Sequence, residues 1–298
     1  MQKAKTINML SRFFILLISA LTFSNTSSFS QEQPKNSLLW MISGKDLSRP
    51  SFVFGTFHMM CRSDFSITDK LKEKLQNTEQ FYGELDMDDP TLQMSLMGKM
   101  RLKDKTLKDL MSESEFSAIS EQFQRITGMS FQMFNQFTPF MPLSLLTMSS
   151  IECADKVQPE SEFVKLAQEK KLPILGLETI DDQIAAINSQ PLDSQLHSLK
   201  RMVLSYDSVK QVMTKMVDVY KQNNADKLYD FIKENSNGND QFETDMLIKR
   251  NKRWIPVIEK AIHEKPSFFA VGAGHLGGNE GVLELLRKQG YTLTPVLY

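Results

Sequence analysis

Hydrophobic and polar positions follow two rhythms along this chain: short strand-like runs near both ends and helical spacing between them. The apolar runs 38–43 and 50–55, separated by Gly44-Lys45, predict a hairpin. From Thr68 onward, Leu71 and Leu75 among lysines and glutamates predict an amphipathic helix capped by Ser66 or Thr68. Residues 80–87 then alternate as a strand and stop at Asp88-Asp89-Pro90. The C-terminus repeats this order. A strand at 267–271 leads to a glycine-rich loop at 275–279, a helix at 280–289 with Val282, Leu285 and Leu286 inward, and a closing strand at 291–297. A strand–helix–strand unit of this length is expected to pair its strands in parallel through a right-handed crossover.

The middle, about 90–262, reads as mostly helical. Short amphipathic helices are expected at 106–110 and, capped by Ser112 or Ser114, from 112 to 126. Another, at 160–170, leads into a buried strand at 174–178. Helical periodicity runs from Ile180 to about Ile262, broken at Pro191 and at the polar stretch 235–239. No stretch reads as a flexible interdomain linker. The expected architecture is α/β (α+β), a single domain over 31–298 with a mixed central sheet and large helical insertions.

The first thirty residues stand apart. Lys3, Lys5 and Arg12 precede an apolar run at 13–18 that continues through Ala20, Leu21 and Phe23. This predicts a secretory signal peptide over 1–30, cleaved near Gln31. The run is too short for the roughly 20 residues of a retained membrane span. Removing it leaves 32 basic against 36 acidic residues, a net charge of −4 that argues against a nucleic-acid partner. The run 70–74 therefore reads as a solvated helix face.

An oxidising compartment gives the two cysteines, Cys61 and Cys153, a disulfide as their expected state. Free thiols, or Cys61 as a ligand in His58-x-x-Cys61, are the alternatives. The 18 methionines, many between Met87 and Met148, sit mostly at helical spacing and read as packing residues. An adaptable apolar groove along 131–148 and a Cu(I) site are the competing readings.

The candidate chemistry lies at two strand ends, Gly55-Thr56-Phe57-His58 and Gly272-Ala273-Gly274-His275. Each apolar run stops at a glycine that lets the chain turn, with a histidine three residues on, at the rim where α/β sheets hold ligands. His197 and His263 fall in polar helical stretches and read as surface groups. Glu84 and Glu178 each end an apolar strand beside a glycine, where a carboxylate is costly unless paired or metal-bound. Because Glu84 shares a unit with His58, its strand is expected beside that of His58. Two histidines and a carboxylate, His58, His275 and Glu84, make a catalytic rather than structural metal set, with Glu178 as partner or general base. Mn²⁺, Zn²⁺, Co²⁺ and Fe²⁺ all suit it, and a metal-activated water suits amide or ester hydrolysis. No HExxH, GxSxG or P-loop motif occurs.

Together the paired GxxH motifs, the Glu84 strand, Gly176-Leu177-Glu178-Thr179 and Arg250-Asn251 resemble the TraB/PrgY/GumN family over essentially the whole mature chain. That family includes the Tiki proteins, regarded as metal-dependent peptidases of a secreted signalling protein, and is similar in fold to the erythromycin-esterase/ChaN group. The resemblance implies a metal or catalytic centre of His58, His275 and Glu84. It places Glu178, Arg250 and Asn251 nearby, with Arg250 orienting a substrate carboxylate or stabilising an oxyanion. The expected function is an exported, periplasmic or secreted, metal-dependent hydrolase acting on a peptide or small molecule. The alternative is an exported protein that binds a peptide, haem or metal in the same cleft without turnover.

Overall fold

The computed structural model describes residues 36–236 and 240–298. The expected leader, 1–30, and its cleavage site near Gln31 lie outside the described residues. The unit Pro34–Tyr298 is organised around a mixed six-stranded sheet. Its strands are β1 (Leu39–Ser43), β2 (Ser51–Thr56), β4 (Gln80–Gly83), β6 (Ile174–Gly176), β7 (Ser267–Gly272) and β8 (Thr292–Pro295). A separate two-stranded ladder joins β3 (Met60–Cys61) to β5 (Lys156–Val157).

The expected hairpin forms, with Leu39 opposite Phe54 and Ile42 opposite Ser51 in antiparallel register. Every residue of β2 and β7 is buried, as in central strands covered on both faces. The sheet order is β6-β4-β7-β2-β1-β8. This corrects one expectation: the strands of each strand–helix–strand unit run the same way but are not neighbours. β7 lies between β2 and β4, and β8 lies on the far edge, antiparallel to β1. β2, β4 and β7 are all three buried along their whole length, as covered central strands are. What results is four parallel strands side by side, β6, β4, β7 and β2, with their C-terminal ends on one rim.

The helices follow their caps. Thr68 accepts the Leu71 N–H at the start of Asp69–Gln76, whose Leu71 and Leu75 face the core. A Ser112/Glu115 capping box opens Glu113–Thr127, and Gly128, at φ +72°, closes it. The 180–262 region contains Ile180–Asn188, Leu192–Leu204, Tyr206–Tyr220, Ala225–Asn235 and Lys249–Glu264, the last entered through a π-helical turn, Thr244–Ile248. At 106–110 the helix reduces to a single 3₁₀ turn, Lys108–Leu110. Phe131 does not line an open groove; it packs with Phe123, Leu146 and Val203 in a second core, and Phe137 packs with Met100 in a third. Two strands are shorter than their patterns, β4 ending at Gly83 and β6 at Gly176. There the Asp86 backbone crosses close over Gly176, and a Cβ at that glycine would meet Asp86 N at 2.7 Å. Among the described residues no helix is long and apolar enough to cross a membrane.

Candidate functional site

Four strand ends deliver four side chains to the rim: Glu178 beyond β6, Glu84 beyond β4, His275 beyond β7 and His58 beyond β2. Main-chain pairing continues past β4 and β6, with Leu177 N–H donating to Gly83 O and Glu178 N–H to Glu84 O, so the two glutamates lie side by side. The helix Lys249–Glu264 lays Arg250, Asn251 and Trp254 across these ends, all three buried. The structure thus places Glu84, Glu178, His275, Arg250 and Asn251 in mutual contact and His58 on the same rim.

His275 is sealed, with 4% exposure. Asn251 Nδ2 donates to the Glu280 carbonyl at 2.8 Å, which turns its Oδ1 to His275 Nδ1 at 2.6 Å. Nδ1 therefore carries the proton, and Nε2 presents a lone pair that accepts from Arg250 Nη1 at 3.1 Å. Burial, reinforced by the charges of Arg250 and His58, pushes its pKa down to about 3 despite Glu84, so the ring is neutral at ordinary pH. Trp254 packs 4.3 Å from it, ring to ring.

Glu84 accepts the Gly272 N–H at 2.8 Å and Arg250 Nη2 at 2.6 Å. Burial would raise its pKa, but the positive charges around it and the Gly272 N–H outweigh that and hold it below the ordinary carboxylate range. Since His275 is neutral above about pH 3, Arg250 and His58 are the cations that keep Glu84 ionised. Glu178 is spent on Arg250, at 2.5 Å to Nη2 and 2.9 Å to Nε, and on Trp254 Nε1 at 3.2 Å. Arg250 thus faces inward, held by two carboxylates, His275 and the Met246 carbonyl. It does not reach out toward solvent as the oxyanion or carboxylate role would have it. The neighbouring basic residues have partners too: Lys249 with Asp245, Lys252 with Glu280 and Arg253 with Glu178.

His58 stands apart, with 77% of its side chain open to the two cavities it borders. Its Nδ1–H donates at 2.8 Å to Glu160 Oε1, which also accepts from the Thr56 hydroxyl at 2.7 Å. That hydrogen bond, against partial desolvation between the cavity walls, raises the pKa of His58 to about 9. Glu160 was missed in the sequence. In the first turn behind Pro159 it reads as an ordinary acid complementing a helix N-terminus. The signal that could have found it is the cysteine pair: Cys61 and Cys153 are bonded, Cα to Cα 5.8 Å, and with the β3–β5 ladder they hold the 153–160 segment against the loop carrying His58. Cys61 is therefore not a metal ligand. His197 and His263 are exposed, as expected.

Gly272 shows whether the expected ligand set suits a cation. A Cβ placed on it would lie 3.1 Å from Glu84 Oε1, 3.6 Å from His275 Cδ2 and 3.7 Å from His58 Cε1, so all three side chains face one small cradle that only a glycine leaves open. Two imidazoles and a carboxylate suit a divalent metal. As the side chains stand, however, no group of three or more His, Cys, Asp or Glu among the described residues is arranged to hold an ion. Arg250 occupies the Nε2 of His275 that a metal would take, while its bond to Glu84 uses Oε2 and leaves Oε1 facing the cradle.

The profile described as the TraB/PrgY/gumN family matches residues 38–295. The chain is 23% identical to "Metalloprotease TIKI1" of Danio rerio over 86% of its length, and 21% identical to the human "Metalloprotease TIKI1" over 88%. It is 22% identical to "Metalloprotease TIKI2" of Xenopus tropicalis over 87% of its length. It spans only 62%, 62% and 60% of those three relatives. No solved structure matches it.

Proposed function

From the premise that the chain belongs to the TraB/PrgY/gumN family, we propose that it is an exported metal-dependent hydrolase, a peptidase by preference. The observation that carries this reading is the cradle over Gly272, faced by His58, Glu84 and His275. The relatives' printed name, metalloprotease, supports it. The cysteine bridge fits the oxidising compartment that export supplies.

The three residues that would hold the metal are His58, Glu84 and His275, and Mn²⁺, Zn²⁺, Co²⁺ and Fe²⁺ all remain chemically suitable. When bound, such an ion supplies an acidified water and a polarised carbonyl. The protein's own groups prepare for it. Asn251 keeps the proton of His275 on Nδ1 and leaves Nε2 free to donate its lone pair. Glu160 does the same for His58, keeping Nδ1 protonated so that Nε2 is the nitrogen left to lose its proton. Arg250 neutralises Glu178 and steadies Glu84, and must yield its contact with His275 for that nitrogen to serve. That contact is the specific observation favouring the second reading, in which the cleft binds a peptide, haem or metal without turnover.

One experiment separates the two. The purified protein, supplied in turn with Mn²⁺, Co²⁺, Zn²⁺ or Fe²⁺, is incubated with a peptide library beside His58→Ala and His275→Ala. Cleavage by the wild type that falls by about a thousandfold or more in both variants supports the hydrolase. Equal activity in all three, or a retained ligand that is never consumed, removes it.

A further inference from the structure

Beside His58, away from the carboxylates, lies a cavity of about 340 Å³ with an unusual wall. Met148, Met213 and Met216 line it together with Ile151, Leu228 and Ile232, while His58, Arg250 and His275 form its inner edge. Glu84 and Glu160 border the other cavity, of about 220 Å³, and are absent from this one. His58 therefore divides a space bearing carboxylates from an apolar one. These methionines come from distant stretches of chain, and the 131–148 segment contributes only its last two residues, Thr147 and Met148.

We propose that this methionine-walled cavity is a specificity subsite for one uncharged apolar side chain, of leucine, methionine or phenylalanine class, flanking the peptide bond presented at His58. Calling that bond scissile rests on the hydrolase reading; the recognition does not. Its volume is at the small end of ligand pockets, which suits one side chain rather than a whole lipid. Its two cationic groups already have carboxylate partners, Arg250 in Glu84 and Glu178 and His58 in Glu160, so an incoming acid or base would lose its water without gaining a free counter-ion. An apolar group loses nothing by the same transfer and gains the burial. Thioether side chains are unbranched and polarizable, so the wall adapts to several apolar shapes.

The test reads binding and cleavage separately. Protein labelled with ¹³C at the methionine methyls is titrated with acetyl-Gly-X-Gly-amide peptides in which X is Leu, Met, Phe, Gly or Asp. The expected result is saturable shifts confined to the cavity-lining Met59, Met148, Met213, Met216 and Met246 with Leu, Met and Phe only, and none at Met133, which is exposed and lines no part of the cavity. Met216→Glu, and independently Met213→Glu, should weaken the Leu peptide by about tenfold or more, with the far-ultraviolet circular dichroism unchanged. Equal response to all five peptides, shifts elsewhere, or no saturable shift at millimolar peptide overturns the subsite. Apolar binding without cleavage of any peptide leaves the subsite standing and removes the hydrolase. Cleavage indifferent to X does the reverse.

Discussion

Glu160 accepts a hydrogen bond from the Nδ1–H of His58 at 2.8 Å while the same oxygen accepts from Thr56 at 2.7 Å, so a helix-borne carboxylate aims a strand-end histidine. Its removal should show in the histidine itself. In the metal-free protein the His58 ring should titrate near pH 9 and fall toward its ordinary value of 6.5 in Glu160→Gln, read from its Cε1–H resonance. The folded-state pKa is raised, so the pair's contribution to stability is full below pH 6.5 and fades as pH rises through about 9. Metal affinity in the same variant should drop by roughly 10- to 100-fold, as for other outer partners of ligating histidines.

Gly272→Ala should separate folding from function. Its φ of −52° suits alanine, but the new methyl enters the cradle 3.1 Å from Glu84 Oε1. Thermal denaturation should move little, while turnover or metal affinity falls by about a hundredfold, the scale of a misplacement near 1 Å. Unchanged function would show that the cradle is not where chemistry occurs.

Arg250→Met should be costly to stability. It leaves Glu84 and Glu178, with side chains 11% and 2% exposed, without their shared cation. Breaking a buried ion pair in this way costs about 3–5 kcal/mol. Urea unfolding should read it, and Arg250→Met combined with Glu178→Gln should recover part of the loss.

Replacing both Cys61 and Cys153 by serine opens a loop whose ends are 92 residues apart. Chain entropy credits that closure with about 4–5 kcal/mol, an upper figure. Beyond the fall in urea midpoint, protease nicking should increase within 60–62 and 153–157, which the β3–β5 ladder and the hydrogen bonds to Glu160 and Glu162 must then hold.

Asp245 should shape the acid limb of stability. Burial opposes its ionisation, but hydrogen bonds from Lys249 at 2.6 Å and Gln241 at 2.7 Å outweigh that and hold it at about 2, below its usual 3.8. Its folded pKa is depressed, so its contribution is present above pH 3.8 and is lost as pH falls through about 2. Water around half-exposed Lys249 limits it to on the order of 1–2 kcal/mol. Asp245→Asn should flatten urea midpoints across that interval.

Much of the site was legible because its signals are local. A glycine closing an apolar run marks where a strand must turn, so His58 and His275 could be placed on a rim from a few residues each. Glu84 and Glu178 stood out because an acid at the end of an apolar strand needs a partner. Glu160 carried no such mark, since its role depends on a bridge and a ladder that join segments far apart in sequence.

Local pattern determined the strand-end histidines, the capped helices and the two repeated units, since each rests on neighbours a few residues away along the chain. Only the tertiary structure decided that β7 stands between the strands of the first unit, that Arg250 turns inward, and that scattered methionines wall one cavity beside His58. Those outcomes come from burying two-faced strands and pairing buried charges across distances that periodicity does not encode.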